Sequence, residues 1–147
     1  MRILIVEDDA LLAAGLGMIL EDAGHEVVGY AVTVRAAMDL AQRHSPDLTL
    51  MDIDLGAGGS GIAAARGMKK HHGLASLFVT DDLERARQAS DAALGMLAKP
   101  YDRDAVVESL RALGEVMAKR PPGELPTGLS LFGTTGMAAP LGQTIAG

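Results

Sequence analysis

The chain has 147 residues, a formal net charge of −6, no cysteine, no tryptophan, two phenylalanines and two tyrosines. Absence of sulfhydryls excludes disulfides and thiol catalysis. The acidic balance and the lack of clustered Lys and Arg exclude a nucleic-acid footprint, and so few aromatics leave no base-stacking platform. The length suits a domain with its own core, which this composition makes aliphatic and Ala-rich.

The first predicted strand, Arg2–Val6, runs into Glu7-Asp8-Asp9. Four apolar residues before an acid cluster are too few for a signal peptide or membrane span, so the expectation is a cytoplasmic protein without a membrane partner. Asp9 can cap a helix whose Leu12, Leu16, Ile19 and Leu20 share one face, with Gly24 ending it. Val27 and Val28 mark a second strand. Ala36, Ala37, Leu40 and Ala41 give a helix that stops before Ser45-Pro46, because a residue preceding proline avoids the helical region. A third strand, Leu48–Met51, runs into Asp52. The glycines of residues 56–61 read as a flexible loop before a helix over 62–70, closed by His71-His72-Gly73. Leu77–Val79 runs into Thr80, and the stretch from Leu83 to Ala89 holds about two helical turns at most. Gly95–Ala98 runs into Lys99-Pro100. Asp102 can cap a last helix presenting Val106, Val107, Leu110 and Leu113 to the sheet. Residues 1–118 thus form one domain. The tail over 119–147, with Pro121-Pro122 and scattered glycines, is expected to be mobile or to dock as an extended segment through Leu129, Leu131 and Phe132.

Short apolar strands alternating with helices argue for a parallel sheet covered on both faces, whose ligand crevice lies beyond the carboxyl ends of the strands. Glu7, Asp8, Asp52, Thr80 and Lys99 would converge there. Two carboxylates about 4 Å apart repel by about 4 kcal/mol at an effective dielectric of 20, so a cation must offset them. Oxygen ligands without Cys or a well-placed His select Mg²⁺, with Mn²⁺ as the alternative, over zinc.

The ordered set Glu7, Asp8, Asp52, Thr80 and Lys99-Pro100 resembles the receiver domain of two-component response regulators over roughly residues 1–118. That resemblance implies a flavodoxin-like, doubly wound, five-stranded parallel sheet of order 2-1-3-4-5; a member of this family is a standard example of the fold. It further implies that Asp52 accepts a phosphoryl group from a sensor histidine kinase or histidine phosphotransferase. Asp8 and Asp52 would bind the metal directly, Glu7 through water, and the Ile53 carbonyl would complete the protein ligands. Lys99 would offset the phosphoryl charge, Pro100 would follow a cis peptide, and Thr80 would turn toward the phosphate. A downstream protein target follows, as a phosphorelay member or phosphate sink. The protein then catalyses only its own phosphotransfer and dephosphorylation.

Two switch positions depart from the family. Met96 stands three residues before the lysine, where an aromatic ring is usual, and Asp81 follows Thr80 where a small residue is usual. The short fourth helix, Asp-Ile-Asp-Leu at 52–55 and Gly-Ser-Gly-Ile at 59–62 resemble an atypical group of stand-alone receivers from alphaproteobacterial stress signalling. Two other readings compete. Altered switch positions favour a receiver-like binding module independent of phosphate. Asp52-Ile-Asp54 with Asp81-Asp82 resembles the acids of haloacid-dehalogenase-type phosphatases, although Lys99 then falls on the wrong side of them. His25, His44, His71 and His72 read as solvated imidazoles at helix ends and loops.

Overall fold

In the computed structural model, which describes residues 1–133, the elements follow the order β1 (Arg2–Val6), α1 (Ala10–Asp22), β2 (Glu26–Ala31), α2 (Val34–His44), β3 (Leu48–Met51), α3 (Gly61–His72), β4 (Ala75–Thr80), α4 (Leu83–Gln88), β5 (Gly95–Ala98), α5 (Arg103–Met117) and β6 (Leu129–Leu131). The sheet order is β2-β1-β3-β4-β5-β6, with the first five strands parallel and β6 antiparallel to β5. The expected 2-1-3-4-5 order is present, and the fourth helix has only six residues.

Central strands read as unbroken apolar runs because both of their faces are covered. Successive side chains alternate between two cores. Leu4, Val6, Met51, Phe78 and Met96 pack under the alanines of α2, α3 and α4 together with Met68. Ile3, Ile5, Leu50, Leu77, Val79 and Leu97 pack under Leu16 and Leu20 of α1 and under Val106, Leu110 and Leu113 of α5. Small helix residues bring the layers close, as a chain poor in aromatics requires.

One face is rotated from expectation. The buried stripe of α1 is Ala13, Leu16, Gly17 and Leu20, whereas Leu12 is 43 % exposed. Gly17 lies under the tip of Tyr30, where a Cβ would come 2.0 Å from the hydroxyl oxygen, so the helix meets β2 with its smallest residue while Leu12 faces outward. Leu11, 84 % exposed, and Met18, 67 % exposed, extend this bare apolar surface.

Part of the tail forms a strand, an element its sequence did not predict. Residues 119–128 run back along α5, and Leu129–Leu131 adds a sixth strand at the β5 edge. The apolar trio Leu129, Leu131 and Phe132 packs on the body as an extended segment, one of the two expected arrangements. The expectation for the remaining tail lies outside the described residues.

The exit of α4 is tied to α3 by an exposed pair. Arg66 donates two hydrogen bonds of 2.9 Å to the Asp91 carboxylate, which hold its pKa at about 2. A depressed carboxyl pKa stabilises above the unfolded value of about 3.9 and is lost as pH falls through the folded value. We therefore expect the Asp91 carboxyl resonance to titrate near 2 and to return to the ordinary carboxylate range in Arg66→Ala. Unchanged titration in that variant would show that the pair is not formed in solution.

Candidate functional site

Strand register assembles the site. Val6 pairs with Met51, which pairs with Phe78, and Thr80 pairs with Ala98. Hence Glu7, Asp52, Thr80 and Lys99 emerge together at the carboxyl end of the sheet. The Asp52 N–H donates to the Val6 carbonyl at 2.9 Å, and the Lys99 N–H donates to the Thr80 carbonyl at 2.9 Å, so backbone ladders continue into the site.

One carboxylate oxygen each from Glu7, Asp8 and Asp52 lies within 4.8 Å of the others. Glu7 is 7 % exposed and Asp52 9 %, whereas Asp8 lies at the exposed rim. The Lys99 ammonium is 2.8 Å from Glu7 Oε1 and 3.5 Å from Asp52 Oδ2. Burial opposes its charge, but the Glu7 hydrogen bond and the charges of Asp52 and Glu7 outweigh that and raise the lysine pKa. At Asp8, desolvation first, then a hydrogen bond and like charge from Glu7, raise the carboxyl pKa. Three carboxylates against one ammonium leave a negative crevice of hard oxygen donors. This donor set fits Mg²⁺ or Mn²⁺.

The other expected residues are placed as follows. The Lys99–Pro100 peptide is cis. Thr80 is 2 % exposed, and its Oγ1 accepts the Asp82 N–H at 2.9 Å, which leaves the hydroxyl hydrogen available to donate. Asp82, not Asp81, caps α4 by accepting the Arg85 N–H. Asp81 instead lines a groove of about 490 Å³ with Leu12, Leu16, Ile19, Lys99 and Tyr101. Burial raises the Tyr101 phenol pKa, with Lys99 opposing. Met96 is 1 % exposed, between Phe78 of β4 and Ser130 of β6. The Ile53 carbonyl accepts the Gly61 N–H at 2.9 Å, so one lone pair of that expected ligand is already used. His71 and His72 are exposed at the end of α3.

Sequence reading missed Gly61. A Cβ on it would lie 1.9 Å from the Asp52 carbonyl oxygen and 2.9 Å from the Ile53 Cα. The first residue of α3 must be glycine to sit against the Asp52–Ile53 backbone, with Ser60 capping the helix by accepting the Ala63 N–H. Among four glycines in the six residues 56–61, nothing in the sequence distinguishes it from its loop neighbours.

The fold is a doubly wound α/β domain with an acid and lysine crevice at its strand ends. The chain belongs to the response regulator receiver domain family, whose model matches residues 3–111. It is 35 % identical over 104 residues to the transcriptional regulatory protein PdtaR of Mycobacterium tuberculosis, covering 68 % of this chain and 50 % of PdtaR. It is also 35 % identical over 103 residues to the phyllosphere-induced regulator PhyR of Methylorubrum extorquens, covering 68 % of this chain and 38 % of PhyR. The crystal structure of PhyR from Brucella abortus superposes with a TM-score of 0.69 at 30 % identity, covering 80 % of this chain and 50 % of that one. These PhyR likenesses support the atypical stress-signalling type. The chain spans half or less of the length of these curated relatives.

Proposed function

We propose that Asp52 accepts a phosphoryl group from a histidine kinase or histidine phosphotransferase and that the chain signals through protein contacts. The carrying observation is Lys99, whose ammonium reaches both Glu7 and Asp52 from a separate strand end. In the reaction the P–N bond of a phosphohistidine breaks as an Asp52 O–P bond forms. A carboxylate is a weak nucleophile, so rate comes from positioning and charge neutralisation. Lys99 offsets the phosphoryl oxygens, and the free Thr80 hydroxyl hydrogen donates to one of them. Glu7, Asp8 and Asp52, with the second lone pair of the Ile53 carbonyl, would hold Mg²⁺, which supplies further charge neutralisation when bound. Autodephosphorylation reverses the modification with water as acceptor.

The partner surface adjoins the site. Leu11 and Leu12 of α1 are exposed beside the groove that Lys99 and Tyr101 line, which suits an apolar helical partner. Among the described residues no helix is long and apolar enough to cross a membrane. We place the protein in the cytoplasm, with a downstream protein target in a relay or a sink.

A dehalogenase-type reading needs Asp54 as acid beside Asp52. Its carboxylate instead accepts the Gly56 N–H at 3.0 Å, holding the following turn. A phosphate-independent binding module remains the second reading, motivated by the buried Met96. The deciding experiment is transfer of acid-labile phosphate from a phosphorylated histidine donor. Wild type is expected to be labelled and Asp52→Asn unlabelled. Equal labelling of both would move the acceptor elsewhere, and no labelling of either would favour the binding module.

A further inference from the structure

The segment after α5 is held by two devices that a loose tail does not need. Arg111 of α5 donates 2.9 Å hydrogen bonds to the carbonyls of Pro122 and Glu124, clamping the returning chain to the helix. Beyond Gly128, β6 pairs with β5 so that Leu131 faces Gly95, Ser130 faces Met96 and Leu129 faces Leu97. The Ala98 N–H donates to the Gly128 carbonyl at 2.9 Å, and the Phe132 N–H donates to the Leu94 carbonyl at 2.8 Å. Gly95 makes this seat. A Cβ there would lie 2.3 Å from the Ser130 carbonyl oxygen, backbone that cannot step aside without unseating the strand.

This strand lies one residue from the site along a continuous ladder. Lys99, whose ammonium stands over Glu7 and Asp52, donates its N–H to Thr80, and the neighbouring Ala98 N–H is the last tie to the tail. Met96, at the position where an aromatic ring would move, is sealed between Phe78 and the strand, with Phe132 packed on the same core. Met96 and Phe132 share one core, so a rearrangement of one disturbs the packing around the other.

We propose that β6 is a strap whose seating on β5 is coupled to occupancy of the Asp52 site, so that phosphorylation loosens it. The inference rests on the acceptor reading above. Its direction follows from the sheet order. Asp52 follows β3, on the side of β4 and β5 away from β6. Thr80 and Lys99, drawn toward a phosphoryl group on Asp52, carry the end of β5 away from Gly128. Loss of the Ala98 to Gly128 hydrogen bond shortens a pairing of only three residues, and the strap lifts. By reciprocity, lifting the strap strengthens binding at the site by the same factor. The bared β5 edge then presents free N–H and C=O groups that an extended segment of another protein can pair with.

The test uses the full chain with Mg²⁺ and beryllofluoride as phosphoryl analogue. Fluorine NMR reads occupancy, and hydrogen exchange of the Phe132 amide reads the strap. Bound analogue with exchange faster by on the order of tenfold, absent in Asp52→Asn, is the expected result. Bound analogue with unchanged or slower exchange overturns the coupling and leaves the acceptor reading standing. No bound analogue takes down the acceptor reading and the coupling with it. Gly95→Ala supplies the reverse measurement, and Arg111→Ala serves if that variant does not fold. With the strap loosened, analogue affinity is expected to rise severalfold, toward the same factor. Fast Phe132 exchange with wild-type affinity would overturn the proposal.

Discussion

Mg²⁺ at a hundred times its dissociation constant is expected to stabilise the chain by about 2.7 kcal/mol, roughly 8 to 10 °C in Tm for a domain of this size. Glu7, Asp8 and Asp52 present oxygens within 4.8 Å of one another, against the single positive charge of Lys99. Asp8→Asn removes a rim carboxylate and is expected to abolish most of the increment, with Asp52→Asn reducing it less. Lys99→Met acts in the opposite sense. A unit and a divalent positive charge about 5 Å apart repel by about 7 kcal/mol at an effective dielectric of 20, and solvent screening leaves a fraction of that. Metal affinity is therefore expected to rise about tenfold in Lys99→Met, while the metal-free protein loses stability because Glu7 loses its counter-ion. The sign with pH follows from the lysine. Its folded pKa is raised, so its contribution is complete below the unfolded value of about 10.4 and fades as pH rises through the folded one. Thermal melts across a Mg²⁺ titration check all three variants. Equal increments in wild type and Asp8→Asn would remove the metal from this site.

Gly61→Ala is expected to cost about 3 kcal/mol and to slow phosphotransfer to Asp52 about a hundredfold. The added methyl would occupy the same space as the Asp52 carbonyl, at 1.9 Å, and the crowding atoms are backbone. Relief comes only by moving the start of α3 off the acceptor loop. That breaks the Gly61 to Ile53 hydrogen bond and displaces Asp52 from Lys99. A misplacement near 1 Å is enough for the rate loss. Gly114→Ala is the control. It lies within α5 with nothing inside 4 Å of a new Cβ, so helix propensity should raise stability by up to about 1 kcal/mol with transfer unchanged. Urea unfolding and single-turnover labelling read the two effects separately. A Gly61→Ala variant with wild-type transfer would show that α3 does not position the acceptor.

Strand ends and their polar residues were legible because each strand is a short, doubly covered run whose boundary is marked by a change of chemistry: Val6 to Glu7, Met51 to Asp52, Ala98 to Lys99. The caps Asp9 and Asp102 were legible for the same local reason, and both accept N–H groups of the first turn. What escaped depends on distant partners. Leu12 belongs to an apolar helix whose periodicity offers several faces, and the buried one includes Gly17, which meets Tyr30, thirteen residues on. Residues 129–131 are too few to carry strand periodicity, and their pairing needs a glycine at position 95. The primary attachment of Lys99 to Glu7 instead of Asp52 is a matter of side-chain reach, 2.8 against 3.5 Å, which no motif encodes.

Tyr101 adjoins the site lysine and is half-buried, while Tyr30 sits at the far edge of the sheet on β2. With no indole in the chain, these two phenols supply all its near-ultraviolet emission of any strength. One of them is therefore a native optical gauge of the crevice and the other an internal reference. Tyr30→Phe leaves a single fluorophore beside Lys99, so cation or analogue titrations can be followed in unlabelled protein at micromolar concentration.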